Sequence, residues 1–246
     1  MNPLSQAHPT AIGASRFSFR EVSTCAEFDE LLRLRYLVYS RHGYLDASCR
    51  SFAVDCYDRC SRFVAVYHRD DQGKETMIGG GRIVLSNGEP NAATLDEISR
   101  QARCPVPAPR KHVYSVQEFM NFDEVLSESR KTRCELVEFG RLFVHPDWQR
   151  AKLGSHLVYA AYGLALANGA GLGIGLVPPQ LLGFYTRCGC RLIEGKGSCY
   201  ALNHELVPVV VDLRATTESH REVRLAVSAL QTSGCWTVQI RGTSGE

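Results

Sequence analysis

The run Phe143-Val144-His145-Pro146-Asp147-Trp148-Gln149-Arg150-Ala151-Lys152-Leu153-Gly154-Ser155 is the most informative in the chain. A strand-like stretch ends at Val144, Pro146 stops it, and a helical pattern begins at Leu153. The first N–H groups of such a helix lack intrahelical partners and sit at the positive end of the helix dipole. A tight loop feeding them is therefore an anion site, unless it is only an ordinary strand–turn–helix connection. A second set is ionic. Arg35 and Tyr39 are four apart, Asp55 and Asp58 three apart, Arg82 follows three glycines, and Glu138 precedes Arg141 by three, just ahead of the loop. Asp55 and Asp58 are close enough to pair with Arg35 and Arg82 in one cluster, whose plainer role is to pin an N-terminal helix to a sheet. Metal chemistry is not expected. Cys188 and Cys190 form a C-x-C and Cys56 and Cys60 lie four apart, but neither has a companion Cys/His pair at ligand spacing. His42 and His145 are flanked by loop residues and read as solvated, and Gly79-Gly80-Gly81 reads as a strand bulge.

The elements that must carry these residues follow from periodicity. Phe17–Val22 alternates as a strand, and Thr24 or Ser23 caps an amphipathic helix from Ala26 to about Arg41. Phe63–Tyr67 and Glu75–Val84 read as strands joined by a hairpin-type turn at Asp70–Gly73. A short helix is expected at Leu95–Ala102, then a break at Pro105, Pro107 and Pro109, and little is legible up to Arg133. Leu136–Val144 is strand-like, His145–Lys152 a loop and Leu153–Asn168 a small-residue helix. Strand at Leu172–Val177, helix at Gln180–Cys188, and strands at Arg191–Glu194 and Leu206–Leu213 follow. Arg214–Glu246 reads as a tail with one amphipathic helix, Glu218–Leu230.

Composition sets the outer bounds. The chain has 246 residues, 44% hydrophobic and 22% charged, with a net charge of +2, which is ordinary for a globular domain. So balanced a charge gives no reason to expect nucleic acid or an anionic membrane as the partner. The longest weakly polar stretch, Leu157–Val177, is diluted by Gly and Ala and interrupted by Asn168, so no membrane span is expected. Residues 1–14 lack a basic and apolar leader pattern, so a cytoplasmic location and reduced cysteines are the expectation.

The loop resembles the coenzyme A loop of the Gcn5-related N-acetyltransferase (GNAT) superfamily, in which Gln/Arg-x-x-Gly-x-Gly/Ala wraps a pyrophosphate or phosphopantetheine. The match is Gln149-Arg150-Ala151-Lys152-Leu153-Gly154, with Lys152 in place of the first glycine. The superfamily's later Phe-Tyr-x-x-x-Gly-Phe motif is matched by Phe184-Tyr185-Thr186-Arg187-Cys188-Gly189-Cys190, Cys190 replacing an aromatic residue. The resemblance implies that Phe143, Val144 and Gln149–Ser155 bind the donor. It further implies that Tyr185 protonates the departing thiolate, where the bland reading is a core tyrosine. In order and approximate spacing, Arg35 and Tyr39, Asp55 and Asp58, Arg82, Glu138 and Arg141 resemble the acyl-homoserine-lactone synthases. A chain carrying both sets is most similar to the long-chain N-acyl amino acid synthases, GNAT relatives that move a fatty acyl group from acyl carrier protein to an amino acid.

That resemblance implies an α/β GNAT fold, with a mixed, mostly antiparallel, splayed sheet flanked by helices. Residues 1–15 are expected to be a disordered lead-in, 16–212 the acyltransferase domain and 213–246 an extension. It also implies direct attack by the acceptor amine, with Glu138 as base and Arg141 either holding Glu138 ionised or binding the acceptor carboxylate. Arg35, Tyr39, Asp55, Asp58 and Arg82 would then be the acceptor-binding set. No permanent cofactor is expected. Acyl carrier protein phosphopantetheine or acyl-CoA is the co-substrate, an amino acid the acceptor, and acyl carrier protein the partner. The small residues of Leu153–Asn168 and Gly173 and Gly175 are expected to leave room for a long acyl chain, unless they serve only close packing. A plain acetyl-CoA N-acetyltransferase and a non-catalytic GNAT-like binding domain are the alternatives.

Overall fold

The computed structural model describes residues 15–45, 52–86, 88–102, 111–201 and 203–240. Among these, the strands are β1 (Ser15–Glu21), β2 (Ser61–Arg69), β3 (Glu75–Val84), β4 (Glu135–Val144), β5 (Ala170–Val177), β6 (Arg191–Leu192), β7 (Cys199–Ala201), β8 (His204–Asp212) and β9 (Cys235–Ile240). The helices are α1 (Cys25–Arg41), α2 (Ala92–Ala102), α3 (Asp123–Thr132), α4 (Leu153–Ala167), α5 (Leu182–Arg187), α6 (Leu213–Ser219) and α7 (Arg221–Ser233). The strands form one sheet in the order β6-β8-β5-β4-β3-β2-β1-β9, with β7 also paired to β8. Every pair is antiparallel except β4–β5. This is the expected mixed sheet flanked by helices.

Alternating side chains split the core by face. On one face Val64, Val66, Val137, Val209 and Val211 pack against α4, which is itself covered by α7. On the other, Phe63, Ala65 and Tyr67 pack against α1 and α2, while Leu136, Ile174 and Val210 pack against Tyr57, Tyr114 and Phe122. Thr24 caps α1, with Glu27 completing a reciprocal capping box. The cap fixes where α1 starts, and thereby which side of it carries Arg35 and Tyr39 towards the sheet.

Two features of β4 shape the centre. Its parallel pairing with β5 runs only from Glu135 to Glu138, opposite Ile174, after which the strands part. Against β3, Gly80 faces Phe143 while Arg82 faces Gly140, so β4 holds one extra residue. Arg141 takes it up with a left-handed φ of +56°. A second irregularity, opposite Val66 and Tyr67, confirms the bulged reading of the glycine-rich strand. A Cβ on Gly79 would lie 2.5 Å from the Phe143 carbonyl oxygen, so backbone crowding explains that glycine.

The stretch after Leu213 is not a tail with one helix. It forms α6, then α7 packed on α4, then β9 paired antiparallel with β1 at the sheet edge. A Cβ on Gly163 would meet Leu230 Cδ1 at 2.7 Å, so this glycine of α4 serves α7 and not an acyl chain. The His145–Lys152 loop contains a 3₁₀ turn, Pro146–Ala151, and the Arg191–Glu194 strand shrinks to Arg191–Leu192. The proline-rich break and the lead-in, Ser15 apart, lie outside the described residues. Among the described residues, no helix is long and apolar enough to cross a membrane.

Candidate active site

The ionic residues meet where β3 and β4 run beneath α1. Asp58 is 0% exposed and accepts both Nη groups of Arg35, at 3.1 and 2.6 Å, and Arg82 Nη1 at 2.9 Å. It also accepts the Asp55 backbone N–H at 3.0 Å. Arg35 donates in addition to the Ala53 carbonyl. Asp55 accepts Arg82 and, at 2.9 Å, Arg141 Nη2. Burial pushes the Asp55 carboxyl up, but Arg82 and Arg141 outweigh it and hold it well below the usual carboxylate range. Arg82 loses from burial too, and the carboxylates of Asp55, Asp58 and Glu138 restore and raise its pKa. Three arginines and three carboxyl groups thus meet in one set.

Glu138 sits at the last position of β4 that pairs with β5 and is 2% exposed. Its carboxylate accepts the Ser115 hydroxyl and, at 3.2 Å, the Val116 N–H, with Arg82 Nη2 3.9 Å away. Burial raises its pKa, opposed by Arg82, Ser115 and Val116. The cation nearest Glu138 is therefore Arg82, whereas Arg141 bonds to Asp55 and lies over the Tyr39 ring at 5.7 Å. Residues three apart on a regular strand face opposite ways. The bulge at Arg141 brings it to the same ionic group as Glu138.

A cavity of about 430 Å³ opens beside this group, through the gap where β4 leaves β5. Residues from both faces of the sheet line it. Asp55, Arg82, Glu138 and Arg141 lie on the side of α1, and Val158, Ala161, Tyr162, Val209 and Val211 on the side of α4. Phe139 reaches into the gap against Tyr162, ring centroids 5.1 Å apart, and occupies the space a Cβ on Gly173 would need. Tyr185 lines the same cavity, its hydroxyl without a hydrogen-bond partner among the described residues, and burial raises its pKa. The expected acceptor-binding set therefore divides. Tyr39, Asp55 and Arg82 reach the cavity, while Arg35 and Asp58 stand behind Arg82 and tie it to α1.

The anion loop lies at the start of α4. Trp148 anchors it to the sheet, its ring 4.3 Å from His68 and 5.7 Å from Phe17. Lys152 has φ +55° and ψ 30°, the left-handed conformation a glycine would adopt without cost. The turn thus survives the substitution. Lys152 provides no side-chain cap, so the first N–H groups of α4 are left for another acceptor. Gln149, Arg150 and Lys152 are exposed, Ala151 and Ser155 half-buried, and Leu153 buried. Gly154 lets α4 approach Phe184, whose ring a Cβ would meet at 3.3 Å. Phe143 buries its side chain near Tyr39, and Val144 packs against the core beneath α4.

Sequence reasoning missed the turn Ser115–Glu118, which lies in the least legible stretch. Tyr114 donates from its hydroxyl to the Leu136 carbonyl, pinning this turn to β4 two residues before Glu138. Tyr57, buried, donates to Glu118 at 2.6 Å on the cavity wall. Short polar residues on an irregular segment carry no periodic signal, so only the fold reveals this side of the site.

The chain matches the family model for GNAT acetyltransferase domains over residues 34–159 and that for the N-acyl amino acid synthase FeeM over 110–212. No curated protein matches it in sequence. Among solved structures it is similar to FeeM, an N-acyl amino acid synthase from uncultured soil microbes, with TM-score 0.54 and 13% identity, covering 85% of this chain and 98% of that one. It is also similar to BjaI, a CoA-dependent acyl-homoserine lactone synthase, solved with MTA, with TM-score 0.53 and 16% identity, covering 85% and 90%. The same synthase solved with SAM and isopentyl-CoA gives TM-score 0.52 at 16% identity, covering 86% and 90%. At these identities the likeness is one of fold.

Proposed function

This chain belongs to the GNAT acetyltransferase domain family and is an N-acyltransferase, and from that premise we propose that it moves a long acyl group from a phosphopantetheine thioester to the amine of an amino acid. One observation carries the reading. A single cavity joins a buried carboxylate and two arginines, on one side of the strand gap, to an apolar pocket on the other. A volume of about 430 Å³ is within the ordinary range for a small-molecule site.

In the proposed reaction the thioester carbonyl lies in the gap between β4 and β5. The acyl chain points towards Val158, Ala161 and Tyr162, and the acceptor lies beside Asp55 and Arg141. The acceptor amine is protonated at neutral pH and must lose a proton to attack. Glu138 takes it, directly or through a water, and its raised pKa makes it a better acceptor than an exposed carboxylate. Arg141 keeps donors beyond its bond to Asp55 that suit the acceptor carboxylate. Backbone N–H groups of Leu142–Val144 stabilise the oxyanion, and Tyr185, raised in pKa and still protonated, gives its proton to the leaving thiolate. The phosphate of the carrier arm rests on the open start of α4, beside Arg150 and Lys152. The arm is common to acyl carrier protein and CoA, and the likeness to BjaI, a CoA-dependent synthase, supports CoA as a donor worth testing.

Mass spectrometry of lipids extracted from cells expressing the chain, with a Glu138→Gln control, tests the proposal. N-acyl amino acids present with the parent chain and absent with the control support it. Acetylated small molecules alone would overturn it in favour of an acetyltransferase.

A further inference from the structure

We propose that Ser115 is a positioning residue for Glu138, clamping one carboxylate oxygen through its hydroxyl so that the group keeps a fixed aim at the cavity; the inference rests on the reading of Glu138 as base. A buried carboxylate must be satisfied by donors or it becomes costly. Among the described residues, Glu138 has two hydrogen bonds, from the Ser115 hydroxyl and from the Val116 N–H. Arg82, at 3.9 Å, contributes charge rather than a hydrogen bond. Ser115 thus provides the side-chain hydrogen bond that fixes the carboxylate's rotation.

The clamp is itself held. Tyr114 is 1% exposed, and its hydroxyl bonds the Leu136 carbonyl on the strand that carries Glu138. Its N–H donates to Gln117 Oε1 at 3.0 Å, closing the turn. Strand and turn therefore move as one unit, and Ser115 cannot drift from Glu138 without breaking a buried bond. The charged and titratable groups facing Glu138 come from each neighbouring element. Arg82 on β3 favours its ionised form, and Asp55, ahead of the 56–60 turn, opposes it. Tyr57 senses the Glu138 charge from that same turn. Arg141 on β4 donates to Asp55 and not to Glu138. Against that background, loss of the Ser115 donor removes one of three influences favouring the carboxylate.

The test compares the parent with Ser115→Ala, Ser115→Thr and Glu138→Gln, using dodecanoyl-CoA and a mixture of amino acids across pH 5 to 10. The acid limb of kcat/KM in Ser115→Ala is expected to move up by about one pH unit, as suits a lost hydrogen bond to a carboxylate. The plateau should fall with the lost aim while the donor KM stays close to the parent's, and Ser115→Thr, which keeps the hydroxyl, should restore both limb and plateau. Infrared titration of the resting protein gives a readout independent of turnover: the carboxyl C=O band missing in Glu138→Gln should titrate at higher pH in Ser115→Ala. An unmoved band, or a parent-like rate and acid limb in Ser115→Ala, would overturn the proposal. A parent-like rate for Glu138→Gln would instead sink the base reading, and the infrared band would then judge the clamp alone.

Discussion

Asp58→Ala should be among the most destabilising single changes in the chain, although Asp58 does not line the cavity. Its carboxylate accepts four hydrogen bonds, from Arg35 twice, Arg82 and the Asp55 N–H. Removal leaves Arg35 with the Ala53 carbonyl alone and Arg82 dependent on Asp55 and the more distant Glu138. Both arginines are 1% exposed, and their Nε atoms already lack partners, so no neighbouring side chain among those described takes up the loss. Breaking a buried ion pair from one side costs about 3–5 kcal/mol. At about 2–4 °C per kcal/mol for a chain of this size, the melting temperature should fall by roughly 6–20 °C. Arg35→Met tests the cause. Because Arg35 and Asp58 bond directly, the double variant should lose less than the sum of the singles, by about 0.5–3 kcal/mol. Calorimetry or urea unfolding measures all four corners. A loss under about 1 kcal/mol for Asp58→Ala, or additivity of the two changes, would refute the cluster as a structural tie.

Glu138→Gln should fold and bind donor normally but lower turnover by about 10²–10⁴ in single-turnover assays, and near-parental turnover at neutral pH would remove Glu138 from the mechanism. The same variant makes a stability prediction of definite sign. Burial raises the folded pKa of Glu138, so the folded chain binds its proton more tightly than the unfolded one, and the parent loses stability as pH rises from the ordinary carboxylate range through the raised value. The melting temperature of Glu138→Gln relative to the parent should therefore climb as pH rises above the ordinary carboxylate range, and a flat or falling difference would contradict the assignment. At Lys152, Gly relieves a left-handed cost of roughly 1–2 kcal/mol, partly offset by roughly 0.4–1 kcal/mol of chain entropy, while a β-branched residue worsens it. Thermal melts should rank Lys152→Gly at or above the parent and Lys152→Val below it; equal stability of the two variants would speak against the strained turn.

The sheet was legible because its strands alternate and its first helix carries a full capping box, Thr24 with Glu27. The ionic partners were legible as a set but not as pairs. Arg141 is expected either to hold Glu138 ionised or to bind the acceptor carboxylate; a one-residue bulge gives Arg141 to Asp55 and leaves Arg82 beside Glu138. A bulge adds no distinctive residue type to β4, so nothing in the spacing betrayed it. The small residues of α4 were ambiguous for a related reason: Ala161 faces the cavity, while Gly163 lets α7 pack close. The Ser115 turn was invisible, because its role rests on Tyr114 bonding a carbonyl 22 positions away. The C-terminal strand β9 was missed because Cys235–Ile240 is short and lies on an edge, where polar residues such as Thr237 and Gln239 face solvent.

Donor choice is decided by kcat/KM measured with acetyl, octanoyl and dodecanoyl donors, on CoA and on acyl carrier protein. Each methylene entering the apolar side of the cavity gains up to ~0.8 kcal/mol, so ten carbons beyond acetyl should outweigh their ordering cost by several kcal/mol. A long-chain acyltransferase should show a rise of at least about tenfold from acetyl to dodecanoyl, each 1.4 kcal/mol being one factor of ten. A flat or falling series would contradict that assignment and make the chain an acetyltransferase.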